Sequence, residues 1–204
     1  MTRRLALLSV PLLLLVTTAC TAGTEAPTPT RPEAAAGRPS PFQDCTALTA
    51  APAAAGAAED AAGGELLPEL TLTCFTGGAQ VALRDVRGPA VVNIWASWCP
   101  PCRKELPALQ RLSERAEGQL RVIGVNSRDS REAAQAIGED FGVRFPMLVD
   151  QGEAVQRALR RKFVPMTVFV DAGGRIRHVD TSGALDDAQL AELVQQHLGL
   201  TVAA

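Results

Sequence analysis

The most informative part of the chain is the run Trp95-Ala96-Ser97-Trp98-Cys99-Pro100-Pro101-Cys102, which contains a Cys-x-x-Cys pair. The run follows an apolar, β-branched stretch at residues 91–95 and precedes residues 103–117, where leucines recur at helical spacing. This order predicts a strand, then the first cysteine, then a helix that begins at the prolines. The layout is typical of a thiol–disulfide exchange site.

The predicted position of Cys99 at the start of a helix favours a thiolate. The first helical turn has N–H groups without intrahelical partners, and the helix dipole is positive at that end. Thiols in such settings have low pKa values, roughly 3.5 to 7.5. Pro100 and Pro101 are compatible with this turn, because the N–H that proline lacks has no intrahelical partner there.

Residues 93–107 closely resemble the active-site segment of the TlpA/ResA group of thioredoxin-like proteins, which are extracytoplasmic bacterial thiol–disulfide oxidoreductases. A second match is found at residues 163–171, which resemble the cis-proline loop of that family and the strand after it. The resemblance covers residues 66–200 and implies an α/β, thioredoxin-like fold. It implies a mixed central sheet with helices on both faces, and a TlpA-type βα insertion at residues 131–150.

The resemblance also implies the roles of individual residues. Cys99 matches the exposed nucleophilic cysteine, Cys102 the buried resolving cysteine, and Pro165 the cis-proline that presents backbone to the substrate. Asn93 stands where general thioredoxins have a buried acid. Glu105, which matches a glutamate of ResA-like members, is therefore the expected proton acceptor for Cys102.

Four residues next to these are expected to contact the substrate. Trp98 is adjacent to Cys99, Pro100 and Pro101 separate the two cysteines, and Val164 precedes Pro165 in a bond that the resemblance predicts to be cis. The expected partners are exported proteins that carry dithiols or disulfides. No cofactor and no metal are expected.

Other functions for the Cys-x-x-Cys pair are less consistent with the chain. A zinc site needs further ligands, and the chain has no second such pair and only two histidines, His178 and His197. A peroxidase of the related peroxiredoxin class needs a Thr-x-x-Cys motif, and here the second cysteine follows too closely. A redox-inactive binding domain would not need both cysteines. We predict a reductase of exported proteins, for example in cytochrome c maturation, with a disulfide-forming oxidase as the alternative.

The N-terminus has the features of an export signal. Arg3 and Arg4 supply positive charge, and residues 5–16 are apolar but shorter than the roughly 20 residues that span a bilayer. Small residues precede Cys20 as in a bacterial lipobox, so residues 1–19 are predicted to be a cleaved signal peptide and Cys20 to carry lipid. The predicted location is extracytoplasmic, on the membrane, with a membrane electron donor if the protein is a reductase. The alternatives are a secreted protein and an uncleaved anchor.

The remaining residues predict one domain on a tether. Residues 20–65 are rich in Ala, Pro, Thr and Gly, which is typical of a flexible linker, and residues 66–200 form the predicted thioredoxin-like domain. An oxidising compartment favours a disulfide between Cys45 and Cys74, the alternative being two free, partly buried thiols. A formal charge of −2 gives no nucleic-acid footprint, and a monomer is expected.

Overall fold

The computed structural model describes residues 38–50, 52 and 63–203, and a single mixed sheet runs through this part of the chain. Four α-helices and two short 3-10 helices, Thr46–Thr49 and Leu83–Asp85, accompany it there. The strands are β1 Thr71–Cys74, β2 Gln80–Ala82, β3 Ala90–Trp95, β4 Arg121–Ser127, β5 Met147–Asp150, β6 Met166–Val170 and β7 Ile176–Asp180. The α-helices are α1 Pro100–Arg115, α2 Arg131–Asp140, α3 Ala154–Ala158 and α4 Asp187–Leu198.

The strand order across the sheet is β2-β1-β5-β4-β3-β6-β7. Strands β3, β4 and β5 are parallel, while β1, β2, β6 and β7 join by antiparallel pairs. All six residues of β3 are buried, as expected for a central strand that is covered on both faces. Strand β5 follows α2 and lies between β1 and β4, which makes the predicted βα insertion part of the sheet.

Two apolar clusters lie on the opposite faces of the sheet. Val91 and Trp95 belong to one cluster, together with buried residues of α1, α2 and α4. Val92 and Ile94 belong to the other, together with Val155 of α3. Alternating residues of β3 therefore bury against helices on both sides, which confirms the predicted α/β class.

A proline inside a helical pattern predicts a kink or a restart of the helix, and α1 does not restart at Pro107. Pro107 lies inside the helix and removes one backbone hydrogen bond, which costs about 3 kcal/mol. Leu106, Leu109 and Leu112 are fully or almost fully buried. Burial of each leucine contributes about 1.5 to 3 kcal/mol, so packing of this face outweighs the proline.

Helix α3 is shorter than the sequence indicates. The spacing predicts a helix over residues 153–163, but the helix ends at Ala158. Arg160 has a φ of 54°, in the left-handed region, which does not continue a helix. Residues 160–163 are exposed, so no apolar contact favours further helical turns there.

The segment before the first strand packs against the domain. Phe42, Cys45 and Leu48 are each at most 3% exposed, although they lie in the predicted tether of residues 20–65. Large apolar side chains in this stretch bury, and the alanine-rich composition around them concealed that signal. The predicted signal peptide of residues 1–19 and the predicted lipid-bearing Cys20 lie outside the described residues. No helix in residues 38–50, 52 and 63–203 is long and apolar enough to cross a membrane.

Candidate redox site

Cys99 and Cys102 form a disulfide at the start of α1, with an S–S distance of 2.12 Å. Cys99 is the N-cap residue, and its sulfur accepts the backbone N–H of Cys102 at 3.2 Å. Pro100 and Pro101 occupy the first two helical positions and have no N–H to offer. Among the first three residues of the helix, Cys102 is therefore the one whose backbone N–H donates to the Cys99 sulfur.

The loop before β6 lies against the disulfide. The Val164–Pro165 peptide bond is cis, and the Val164 carbonyl oxygen is 3.6 Å from the sulfur of Cys99. Cys99 is 4% exposed and Cys102 is completely buried. A partner that approaches from solvent therefore reaches the Cys99 sulfur, next to the backbone of Val164.

Five apolar residues lie beside Cys99 or Pro165 in the sequence, and we call them the apolar rim: Trp98, Pro100, Pro101, Phe163 and Val164. Trp98 is 58% exposed and Phe163 is 77% exposed, which is unusual for large apolar residues. The two prolines are also exposed, and Val164 is half-buried. Sequence reasoning had not singled out Phe163, although its place beside the Val164–Pro165 bond was the signal that it borders the site.

The residues just before Cys99 are held by a loop that follows β4. Asp129 accepts the backbone N–H of Ser97 at 2.5 Å and its hydroxyl at 2.6 Å. Asp129 also accepts the amide of Asn126 at 2.8 Å, and the indole N–H of Trp98 donates to the Arg128 carbonyl at 3.0 Å. The sequence had no signal for this contact, because about thirty residues separate Asp129 from Ser97.

Glu105 is completely buried one helical turn after Cys102. Its carboxylate accepts hydrogen bonds from the Thr167 hydroxyl at 3.0 Å and the Asn93 amide at 2.9 Å. Burial raises the pKa of Glu105 from 4.5 to about 7, against the opposing effect of hydrogen bonds from Thr167, Asn93 and the Leu185 backbone. A carboxyl group of this kind exchanges its proton near neutral pH.

The contact with Asn93 explains why the central strand has no acid here. The Asn93 amide of β3 points to the Glu105 carboxylate, so α1 supplies the acid and β3 supplies a neutral donor. Residues three apart on a helix are neighbours, with Cβ atoms about 5 to 6 Å apart. Cys102 and Glu105 are therefore neighbours on the buried face of α1.

The two other cysteines of the described region are also joined. The Cys45–Cys74 disulfide has an S–S distance of 2.00 Å and connects the N-terminal segment to β1. Its residues belong to the cluster on the sheet face opposite Cys99 and Cys102. Within residues 38–50, 52 and 63–203, no group of three or more His, Cys, Asp or Glu side chains is placed to hold a metal ion.

Comparison with known protein families gives a match over residues 64–179, more than half of the chain, to the AhpC/TSA family. The chain is 35% identical over 131 residues to the thiol:disulfide interchange protein DsbE of Allochromatium vinosum, covering 63% of this chain and 71% of that protein. It is 32% identical over 108 residues to the thiol–disulfide oxidoreductase ResA of Halalkalibacterium halodurans. That alignment covers 52% of this chain and 61% of ResA, less than two thirds of its length.

Solved structures have the same fold. A DsbF homologue from Corynebacterium diphtheriae is 26% identical, with a TM-score of 0.57, and the match covers 67% of this chain and 89% of that one. A secreted disulfide oxidoreductase from Mycobacterium tuberculosis has a TM-score of 0.56 over 63% of this chain and 96% of that one. The latter is 23% identical and shows the fold alone. These matches confirm the predicted thioredoxin-like fold.

Proposed function

The chain belongs to the AhpC/TSA family, and on that premise we propose that it is an extracytoplasmic thiol–disulfide oxidoreductase that reduces disulfides of exported proteins. The observation that carries the proposal is the Cys99–Cys102 disulfide at the N-terminus of α1, beside the cis Pro165. The names of the ResA and DsbE relatives support the same reaction. Reduction of cytochrome c cysteines before haem attachment is an example of such a task.

The reaction starts from the dithiol form. The Cys99 thiolate attacks a substrate disulfide, so that a mixed disulfide forms and one substrate sulfur leaves with its electron pair. Cys102 then attacks the Cys99 sulfur, which restores the Cys99–Cys102 disulfide and releases the second substrate thiolate. The short distance between the cysteines supports this resolving step over peroxidase chemistry.

Glu105 serves the second step. Cys102 is buried, and its thiol has to lose a proton before it can act as a nucleophile. The Glu105 carboxylate takes this proton, because it lies one turn further along α1 and its pKa is close to neutral pH. Glu105 later passes the proton to solvent, which prepares the site for the next cycle.

The apolar rim binds the polypeptide that carries the substrate disulfide. Trp98 precedes Cys99 and Phe163 precedes Val164, and both offer exposed aromatic surface of the kind that commonly anchors protein interfaces. The loop at Val164 brings a backbone carbonyl to within 3.6 Å of the Cys99 sulfur. Contact with an extended substrate backbone at this point would align its disulfide with Cys99.

The same geometry favours a reducing protein. Thiolate stabilisation makes a disulfide more oxidising, and here the two prolines leave the Cys102 N–H as the donor to the Cys99 sulfur. We therefore expect a reduction potential nearer to about −270 mV, as in thioredoxin, than to about −120 mV, as in DsbA. A reductase outside the cytoplasm also needs a membrane electron donor to reopen its disulfide.

The decisive experiment is a redox titration of the purified protein in glutathione buffers. The reduced fraction is read by alkylation and mass measurement of the peptide that carries Cys99 and Cys102. A potential near −270 mV is expected, and a potential above about −150 mV would favour the oxidase alternative. Failure of the protein to reduce a model peptide disulfide at any potential would contradict the proposed function.

Membrane attachment through lipid on Cys20 completes the proposal, with the protein acting as a monomer at the outer side of the membrane. Small residues before Cys20 and the apolar stretch of residues 5–16 support it. Cys20→Ala is expected to move the protein from the membrane fraction to the soluble fraction. A membrane-bound form that retains residues 1–19 would instead indicate an uncleaved anchor.

A further inference from the structure

A row of three polar side chains crosses the sheet on the face that α1 and α4 cover. Asn93 of β3 pairs directly with Thr167 of β6, and Thr167 pairs directly with Asp180 of β7. Side chains at directly opposed positions of antiparallel strands lie on one face, with Cβ atoms about 5 Å apart. Val91 and Phe169, which flank the row on the same face, are apolar and buried. The row is therefore a polar path through an apolar layer.

Glu105 lies over the buried end of this row. The Asn93 amide donates both to Glu105 and to the Thr167 hydroxyl, and that hydroxyl donates to Glu105. Asn93 and Thr167 are at most 2% exposed, whereas the Asp180 side chain is 16% exposed. Asp180 accepts the backbone N–H and the hydroxyl of Ser182 at 2.9 and 2.8 Å. The row thus connects a buried carboxyl group with a carboxylate at the solvent boundary.

Two histidines are the nearest basic groups on this face. The Nε2 atom of His178 on β7 is 3.9 Å from a carboxylate oxygen of Asp180. The His197 ring of α4 stacks on the His178 ring with a centroid distance of 4.1 Å. Burial lowers the pKa of His197, and the proximity of His178 lowers it further. These rings do not contact Glu105 through any hydrogen bond found in the described part of the chain.

Two arginines of α1 form ion pairs with the start of α4. The carboxylate oxygens of Asp187 at the start of α4 lie 2.5 Å from the Arg111 guanidinium and 2.6 Å from that of Arg115. Asp180, by contrast, lies opposite Thr167, whose hydroxyl donates a hydrogen bond to Glu105. Its negative charge acts in the direction that raises the pKa of Glu105, in addition to the larger effect of burial.

We propose that Asp180 is a positioning residue for the redox reaction. Its carboxylate lies beside Thr167, its partner on the neighbouring strand, and opposes ionisation of Glu105. This inference rests on the proposed function of the Cys99–Cys102 pair. Asp180 thereby raises the pH at which Glu105 changes between proton acceptor and proton donor. Without its charge, Glu105 would hold a proton less readily at neutral pH.

The proton balance of the resolving step shows where Asp180 acts. The Cys102 S–H bond breaks and a Glu105 O–H bond forms, while the Cys102 sulfur bonds to the Cys99 sulfur. The mixed-disulfide bond breaks, and the substrate sulfur leaves with the electron pair. No other oxidant or reductant is needed. The negative charge of Asp180 disfavours the ionised form of Glu105 and so favours the protonated form that this step produces.

The test is Asp180→Asn, which removes the charge but keeps an oxygen that can accept from Ser182. The first readout is the unfolding free energy of the oxidised protein between pH 4.5 and 9, with and without Glu105→Gln. The difference between the two proteins isolates the titration of Glu105. Asp180→Asn is expected to lower the midpoint of Glu105 by about half a pH unit, a change of about threefold in its ionised-to-protonated ratio. The second readout is the pH profile of peptide disulfide reduction, which should move in the same direction.

The matched control is Asp171→Asn, since Asp171 has the same 16% side-chain exposure and also accepts backbone N–H groups in a turn next to a strand. Asp171→Asn should leave the titration midpoint of Glu105 unchanged. Asp180→Glu, which keeps the negative charge, should have the same midpoint as the unsubstituted protein. An unshifted midpoint in Asp180→Asn, or an equal shift in the control, would overturn the inference. If the unsubstituted protein reduces no disulfide while the midpoint still moves, the proposed function fails and the coupling between the two carboxyl groups remains.

Discussion

Glu105 is the residue whose chemistry depends most on its surroundings. A carboxyl group on the buried face of α1 loses its hydration, and the Thr167 and Asn93 hydrogen bonds replace only part of it. As a result the pKa of Glu105 rises to about 7. The same burial that makes Glu105 a proton acceptor near neutral pH therefore also affects the stability of the fold.

The sign of the stability effect follows from the direction of the pKa shift. The folded pKa of Glu105, about 7, is above its ordinary value of 4.5, so the folded state holds an extra proton between these pH values. This contribution is fully present below pH 4.5 and is lost as the pH rises to 7. Its size is on the order of 3 kcal/mol. The unfolding free energy should therefore decrease between pH 4.5 and 7, and Glu105→Gln should remove this decrease. Urea unfolding of the oxidised protein at several pH values would measure it.

A suitable control is Glu114→Gln, because Glu114 lies on the same helix but is exposed and hydrogen-bonds Gln110. Its substitution should leave the pH dependence unchanged. If the protein with Glu105→Gln still loses stability between pH 4.5 and 7 to the same extent, another group is responsible for the titration.

At the scale of elements, the redox site depends on how the turn between β3 and α1 is held. Helix α1 positions Cys99 through its N-cap, but the residues just before the cap are tied to the loop between β4 and α2. Asp129 of that loop accepts two hydrogen bonds from Ser97. The site is therefore built where two parallel strands end and their loops meet.

We expect Asp129→Ala to destabilise the protein and to slow the redox reaction. The backbone N–H of Ser97 and the amide of Asn126 would lose their acceptor, which costs about 2 kcal/mol. A looser turn would displace Cys99 relative to the substrate, and we expect about a tenfold lower rate of peptide disulfide reduction. Thermal unfolding and the reduction rate would measure the two effects.

Asp44→Ala is the comparison variant for this loop. Asp44 is an exposed carboxylate that accepts hydrogen bonds from Thr46, away from the redox site. Its removal should change the melting temperature little and the reduction rate not at all. An Asp129→Ala protein with the same rate as Asp44→Ala would contradict a positioning role for Asp129.

At the scale of the whole molecule, the Cys45–Cys74 disulfide ties the N-terminal segment to the domain. The two cysteines are 29 residues apart in sequence, and Leu48 of the same segment is 1% exposed in the core. Crosslinks that close loops of this length stabilise by about 3 to 4 kcal/mol in the chain-entropy model. Part of the predicted tether of residues 20–65 thus contributes to the fold.

Joint replacement of Cys45 and Cys74 by alanine should lower the unfolding free energy by about 3 to 4 kcal/mol. The redox reaction should persist at the temperatures where the variant is folded, because this disulfide lies on the other side of the sheet from Cys99. Chemical denaturation and the rate of peptide disulfide reduction would test both statements. Loss of activity in a folded variant would mean that the second disulfide takes part in the reaction.

Local patterns were enough to predict most of the fold. The strand at residues 91–95, the Cys-x-x-Cys pair and the following helix are adjacent along the chain, and periodicity and helix-terminus chemistry act over this short range. The cis bond between Val164 and Pro165 was predicted instead from the resemblance of residues 163–171 to the cis-proline loop. The end of α3 was not predictable in this way, because it depends on the lack of packing at residues 160–163 and not on helix propensity.

Contacts between distant parts of the chain needed the folded molecule. Composition indicated a tether where Phe42 and Leu48 pack into the core, and no periodic signal connects Asp129 to Ser97. The chemistry of Glu105 also depends on strands β6 and β7, which lie more than sixty residues after Glu105 in the sequence. Burial and hydrogen bonding are properties of the assembled layers, so the residue types predicted a redox site, while its proton chemistry arose from packing.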